Sequence, residues 1–364
     1  MPDDEQTRPD LGDLRERIDA IDAEIVRLIS ERGVVARQIG EIKAQQGTAV
    51  YAADREKGVY ERLREINPGP FPDQVLQAIY RELMSGSIAL ERPQRIGFLG
   101  PRGSFSHLAA TAKFGSAVEY EPVTDIQGVF AEVERRHVDF AVVPVENTSG
   151  GSVLETLDAF IDSPVKVCAE VNLHIHHNVL SRIPLDAVER LYSKPEVFDQ
   201  CKAWLLETGM LPKAIPVASS NRAAEMAATE ERAAAVGSTL AAELFNLPVL
   251  ISNIEDNPQN MTRFLVLGQR ASRPTGDDKT VLMFRTAHRA GALVDVLDAF
   301  RANQINMSMI TSRPNRQRNW EYCFFVDIEG HADDANVAAG LRAAGEHCLE
   351  LAVLGSYPKA AELA

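Results

Sequence analysis

The sequence predicts a multidomain chain that joins an all-α helical domain, an α/β domain and an α+β domain in series. Three observations carry this: apolar residues at helical spacing through residues 11–92, strands alternating with helices over 95–270, and a β-α-β-β-α-β order over 279–357. At 364 residues the chain is too long for one ordinary core, so several domains are expected.

In the first zone Leu14, Ile18, Ile21, Ile25, Leu28, Val35, Ile39 and Ile42 recur at steps of three, four or seven, which describes one long amphipathic helix. QQGTAVYAAD interrupts it, a second helix is expected from about Ala53 to Ile66, NPGPFP breaks the pattern, and a third runs from about Asp73 to Glu91. Three helices make a thin core. A helix this long with a single apolar stripe buries it against a partner, so a homodimer or higher homo-oligomer is expected, its long helices packed together.

The second zone alternates RIGFLG, FAVVPV, AAAVGS and RFLVLG with helical stretches, which reads as α/β with parallel strands. ASRPTGDDK is a polar linker. Beyond it TVLMFRT, a helix over 290–303, INMSMITSR, WEYCFFVDIEG, a helix over 333–346 and CLELAVLGS give a ferredoxin-like order.

With 38 Lys+Arg against 52 Asp+Glu the net charge is -14, which opposes nonspecific binding to nucleic acid or anionic membranes. Any anionic ligand must then find a local basic site. The four cysteines are widely spaced with no C-x-x-C, so neither a zinc site nor a disulfide framework is indicated, and reduced thiols in a cytoplasmic protein are expected. No apolar run reaches the length of a membrane span, the start is acidic without a signal-peptide pattern, and residues 1–10 are expected to be a disordered tail.

Three polar, Gly-rich turns sit between a strand end and a helix start: GPRGSFSH, PVENTSGGS and ASSNRAAE. Each offers free backbone N–H groups and a hydroxyl, suited to holding a carboxylate or phosphate, although Ser and Gly also simply cap helices. In an open α/β sheet such loops gather where ligands bind. None matches a Walker A or G-x-G-x-x-G pattern, which disfavours nucleotides. In HIHH, His174 and His176 would point one way along a strand and His177 the other, so three-ligand metal convergence is not expected. No nucleophile elbow is present, and neither a metal nor a cofactor is expected.

Residues IGFLGPRGSFSHLAA, VPVENTSGG, AAVGSTLAAELFNLPVL and NPQNMTRFLVLG together resemble prephenate dehydratase, a two-lobed α/β fold like periplasmic binding proteins. HRAGALVDVLDAFRANQINMSMITSRP resembles a phenylalanine-sensing ACT domain, and LRERIDAIDAEIVRLISERGVVARQIGEIK with DREKGVYERL resembles the all-helical chorismate mutases. The combination is similar to the bifunctional P-protein family of phenylalanine biosynthesis.

That resemblance implies conversion of chorismate to prephenate, a pericyclic step needing no nucleophile, with Arg15, Arg32, Lys43, Arg55, Glu56, Ser87 and Glu91 as site residues. Arg15 and Arg32 stand 17 residues apart on one helix, about 25 Å, too far to grip one small diacid. Arg15 is therefore expected to serve the partner protomer's site. Glu91 stands where some relatives carry Gln, and only a protonated carboxyl could donate to the breaking ether, so mutase activity is expected to fall as pH rises. Ala52 replaces an acidic residue of some relatives.

For the dehydratase the resemblance implies Thr262 as hydrogen-bond donor to the departing hydroxyl and Arg263 as an anchor for a substrate carboxylate, with Phe264 packed beneath. Asn147, Thr148, Ser104, Ser220 and His177 are implied as polar contacts, with Glu146 a weaker one; Lys194 stands where His is common. In the ACT zone Gly291, Ala292 and Leu293, with Ser312, Arg313 and Pro314, are implied to bind L-phenylalanine between protomers. Thr311 replaces a usual Glu, and His288 is a possible helix cap. Two other readings stay open: an arogenate dehydratase, and a non-catalytic amino-acid-sensing binding module.

Overall fold

The first helix, α1 (Leu11–Gln46), is unbroken, and α2 (Ala53–Ile66) and α3 (Asp73–Glu91) follow where the periodicity placed them. From Leu11 to Ser30 every residue of α1 is exposed in the single chain, the stripe residues Leu14, Ile18, Ile21, Ile25 and Leu28 included. Its second half packs on α3. At Gly40 the two helices come so close that a Cβ would lie 2.7 Å from Glu91 Cγ, so glycine is needed there.

The structure, a computed structural model, describes residues 10–46, 51–314, 322–360 and 362–363. The expected tail over 1–10 therefore lies almost wholly outside the described residues, as do residues 47–50 of the first loop and the start of WEYCFFVDIEG.

The central domain has two lobes. Lobe one comprises β1 (Arg95–Leu99), α4 (Phe105–Phe114), β2 (Glu119–Val123), α5 (Ile126–Glu134), β3 (Phe140–Asn147), β4 (Gly151–Ser152), α6 (Leu154–Ile161) and β5 (Lys166–His174). The chain crosses at residues 175–177 into lobe two. There β6 (Asn178–Leu180), β7 (Arg190–Ser193), α7 (Pro195–Gln200), α8 (Lys202–Glu207), β8 (Ala214–Pro216), α9 (Ser220–Thr229), β9 (Ala233–Gly237), α10 (Thr239–Leu244) and β10 (Val249–Ile251) build a second sheet. It then returns through residues 252–260 as β11 (Met261–Gly268), inserted between β3 and β5.

Here the expectation of parallel strands needs correction. β1 pairs in parallel with β2 and β3, and β7 with β8 and β9, but β11 is antiparallel to both its neighbours and β6 to β9. The cause is topological: a strand re-entering lobe one from lobe two runs opposite to the strands that left it.

The third domain follows as β12 (Asp278–Arg285), α11 (Ala292–Ala302), β13 (Met307–Pro314), β14 (Tyr322–Glu329), α12 (Ala335–Gly345) and β15 (Glu350–Pro358), with β16 (Glu362–Leu363) added alongside β5. One face of this sheet packs on its own helices through Leu282, Phe284 and Val326. Its other face, through Val281, Met283, Phe325 and Tyr357, joins the core of lobe one with Leu265 and Leu267. Burial on both faces explains why β12 reads as a continuous apolar run, VLMF, and does not alternate.

Candidate active sites

The helical domain forms a cleft of about 420 Å³ that gathers Arg32, Lys43, Arg55, Glu56, Ser87 and Glu91, six of the seven residues inferred for it. Helix spacing does this: Arg32 and Lys43 share a face of α1, and Ser87 and Glu91 are i, i+4 neighbours on the facing side of α3. Arg32 donates to Ser87 Oγ, whose own hydroxyl donates to Leu83 O at 2.7 Å. Lys43 Nζ donates to Glu91 Oε2 at 3.2 Å, and the Glu91 side chain is only 8% exposed. Arg15 does not join them. It sits on the exposed half of α1, beside apolar residues that no element of the single chain covers.

Ala52 lines the same cleft without an acidic group. Glu56 does supply one, and it is tied twice: Tyr51 Oη donates to its Oε2 at 2.8 Å, and Lys113 Nζ lies 2.7 Å from the same oxygen. Tyr51, Arg81 and Lys113 went unread as cleft residues, because a tyrosine in a loop and a lysine in the last turn of a helix are ordinary features.

In the central domain Thr262 and Asn147 face one another across β11 and β3. Asn147 Oδ1 accepts from the backbone N–H of Ser149 (2.9 Å) and Gly150 (2.8 Å), which turns its amide nitrogen toward Thr262. Asn147 Nδ2 then donates to Thr262 Oγ1 at 2.8 Å. With its oxygen engaged as acceptor, the threonine hydroxyl can offer its hydrogen to a ligand.

Buried Asn260 is the hub beside them. Its Oδ1 accepts from Asn147 Nδ2 (3.0 Å), Ser149 Oγ (3.2 Å) and Thr148 Oγ1 (3.4 Å), while Thr148 Oγ1 itself accepts from Met261 N at 3.0 Å. Gln200 continues the chain to His177, whose Nε2 is 2.7 Å from Gln200 Oε1. That contact puts the proton on Nε2 and leaves Nδ1, buried and unpartnered among the described residues, as an acceptor. Burial holds the His177 imidazole below its ordinary pKa, in keeping with a neutral ring. Asn260 and Gln200 were not singled out from sequence, since an Asn before a strand reads as a turn residue.

The anion loops converge as well. Gly103, at φ +83, lies where a Cβ would be 3.2 Å from Asn221 Oδ1, and Ser238 Oγ donates to Gly103 O at 2.9 Å. The turn before α4 thus meets the first turn of α9 and the N-cap of α10 across the lobes, which brings the positive ends of these helices close together. Ser104 caps α4, its Oγ accepting from His107 N at 3.3 Å and donating to Leu99 O at 3.0 Å. Ser219 caps α9, and Ser220, inferred as a polar contact, is the first residue of that helix. Lys194 is half-exposed, 3.7 Å from Glu196.

Arg263 departs from expectation. Consecutive strand residues point to opposite faces, so if Thr262 faces the cleft its neighbour cannot. The Arg263 guanidinium turns into the seam with the third domain, donating from Nε to Glu170 at 2.7 Å, from Nη2 to Tyr357 Oη at 2.7 Å, and from Nη1 to Asp327. Glu146 shares that face, 3.9 Å from the same guanidinium. Phe264 is buried in the lobe-one core.

In the third domain Gly291 (φ +79) is the N-cap of α11, so the cap is not the exposed His288, and Ala292 and Leu293 open the helix. Ser312, Arg313 and Pro314 end the edge strand β13. Arg313 is held by Asp158 of α6 in two hydrogen bonds of 2.7 Å, and Thr311 Oγ1 is 3.1 Å from Ser152 Oγ.

A helical cleft of cations and a two-lobed anion cleft, beside a ferredoxin-like domain, define a two-centre enzyme for small carboxylic acids. Family models agree with each part: chorismate mutase type II over residues 14–92, prephenate dehydratase over 96–272 and ACT domain over 280–346. A bifunctional chorismate mutase/prephenate dehydratase of Aquifex aeolicus is 41% identical over 96% of this chain and 98% of its own length. Among solved structures, GqqA, described as a novel type of quorum quenching acylase, is 25% identical with TM-score 0.68, over 73% of this chain and 98% of that one. The prephenate dehydratase of Arthrobacter aurescens in complex with L-Phe is 29% identical with TM-score 0.67, over 73% of this chain and 90% of that one. The chain belongs to the bifunctional chorismate mutase/prephenate dehydratase family, and it carries both activities.

Proposed function

We propose that the cleft between α1, α2 and α3 folds and rearranges chorismate, and that the Thr262 face of the interlobe cleft takes the resulting prephenate to phenylpyruvate. In the first site Arg32, Lys43 and Arg55 bind the two carboxylates and the ether oxygen, where negative charge grows as the carbon–oxygen bond breaks. Arg15 completes the partner's cleft, and the exposed stripe of α1 is the surface through which two protomers pair.

At the second site the ring loses its hydroxyl as water and its carboxylate as CO2, and aromatisation supplies the drive. The protein must orient the departing hydroxyl and offer it a proton. Asn147 fixes Thr262 Oγ1 from its acceptor side, and this observation carries the reading. The N-termini of α4 and α9 offer backbone N–H donors that hold the carboxylates in place of Arg263.

L-phenylalanine binding at Gly291–Leu293 and Ser312–Pro314 would regulate the dehydratase, supported by the L-Phe complex of the Arthrobacter relative. The names of the relatives and of the matching family model, prephenate dehydratase, support prephenate over arogenate as substrate. A cytoplasmic location agrees with the four free cysteines; among the described residues no helix is long and apolar enough to cross a membrane. Incubation of the purified protein with chorismate, prephenate and arogenate tests the reading. Phenylpyruvate from the first two supports it, and phenylalanine from arogenate alone would overturn it.

A further inference from the structure

We propose that Lys113, a residue of the dehydratase lobe, is a positioning residue of the mutase cleft. The proposal rests on the reading of that cleft as the chorismate site.

Helix α4 begins at the interlobe cleft with Ser104 and ends in the wall of the mutase cleft, where Lys113 and Phe114 join the lining from outside the helical domain. The junction there is tightly built. At Gly115 (φ +72) a Cβ would lie 2.7 Å from Ser85 Cβ, so α3 rests directly on the backbone that ends α4. Ser116 donates to Glu82 from its N–H at 2.9 Å and its hydroxyl at 2.7 Å, and Ala117 N donates to Ser85 Oγ at 3.0 Å. Tyr51 packs between Phe114 (5.1 Å) and Phe140 (5.2 Å).

Held this way, Lys113 Nζ and Tyr51 Oη both engage Glu56 Oε2, while among the described residues Oε1 takes a single long contact, 3.4 Å from Tyr60 Oη. The Lys113 and Glu56 side chains are 18% and 10% exposed, so solvent screens the pair weakly. The cleft also holds Arg32, Lys43, Arg55 and Arg81, any of which could draw a free carboxylate out of place. Tethering one oxygen leaves the other as an acceptor. Chorismate has two carboxylates, an ether and one hydroxyl, so its hydroxyl is the one group able to donate to Oε1.

The test uses the full chain, with mutase activity read on chorismate and dehydratase activity on supplied prephenate. Lys113→Met is expected to lower mutase kcat/KM by about tenfold or more, since misplacing one contact group is enough for such a loss. Dehydratase kinetics should stay unchanged, Lys113→Arg should recover most of the loss, and Lys113→Met should add little in a Glu56→Gln background. Lys113→Gln replaces Lys113→Met if that variant fails to fold. Unchanged mutase kinetics, an equal fall in both activities, or the same loss in the Glu56→Gln background overturns the proposal. Arg32→Met run in parallel separates the two readings. If it leaves the mutase intact, the cleft assignment itself fails; if it is inactive while Lys113→Met is not, only Lys113 loses its role.

Discussion

Thr262 and Arg263 are neighbours on β11 whose side chains serve different domains: Thr262 Oγ1 accepts from Asn147 Nδ2 at 2.8 Å, while Arg263 Nη2 reaches Tyr357 Oη at 2.7 Å across the seam with the ACT sheet. One strand thus carries the proposed dehydration site on one face and a domain strut on the other. Separate consequences follow for each face.

Arg263 is expected to matter for stability. Arg263→Met leaves the essentially buried Asp327 without its paired cation and the essentially buried Glu170 with Lys279 alone, and removing one partner from such a cluster costs about 3 kcal/mol. Denaturant unfolding should show that loss. An Arg263→Met protein as stable as the parent but with a greatly raised KM for prephenate would return the residue to substrate binding.

Asn147 sets the direction of the Thr262 hydroxyl. In Asn147→Asp the new carboxylate has no N–H to offer and takes the Thr262 hydrogen for itself, so dehydratase kcat should fall about 100-fold while mutase kinetics hold. Full dehydratase activity in Asn147→Asp would show that the hydroxyl's orientation is set elsewhere.

His107 predicts a pH window. Gly103 N donates to its Nδ1 at 3.1 Å, so the folded loop needs the neutral ring, and burial pushes the imidazole down to about 4 from an ordinary 6.5. Between these values the unfolded chain binds the extra proton, so this contribution is whole above pH 6.5 and is lost as pH falls toward 4. Melting curves across that range should slope less steeply for His107→Asn, whose Oδ1 can stand in for Nδ1 without titrating.

Arg313 lies in the strand assigned to phenylalanine binding, yet Asp158 of lobe one occupies two of its donors. Those donors cannot serve Asp158 and an effector carboxylate together. Asp158→Asn should therefore shift dehydratase inhibition to lower L-phenylalanine concentration, by roughly fivefold or more. An unchanged inhibition curve would mean that Arg313 is a fixed structural tie.

Much of this architecture is legible in the sequence because local patterns fix it. The stripe from Leu14 to Ile42 dictates α1, and the VLMF run marks a strand covered on both sides. The direction of β11 is not legible, because it depends on the chain crossing between lobes twice, and nothing within MTRFLVLG records that. Arg263 could have been placed from the two-residue period of a strand, since Thr262 and Arg263 cannot both face one cleft. Lys113 could not. A lysine in the last turn of a helix is already accounted for by the helix dipole, and only the docking of α3 at Gly115 brings it to Glu56.

The most direct test of the account measures both reactions on one variant, Thr262→Ala in the full chain, with chorismate consumption and prephenate dehydration assayed side by side. The account predicts dehydratase kcat reduced by about 100-fold or more, with chorismate mutase kinetics unchanged. Retained dehydration, or an equal loss of both activities, would contradict it.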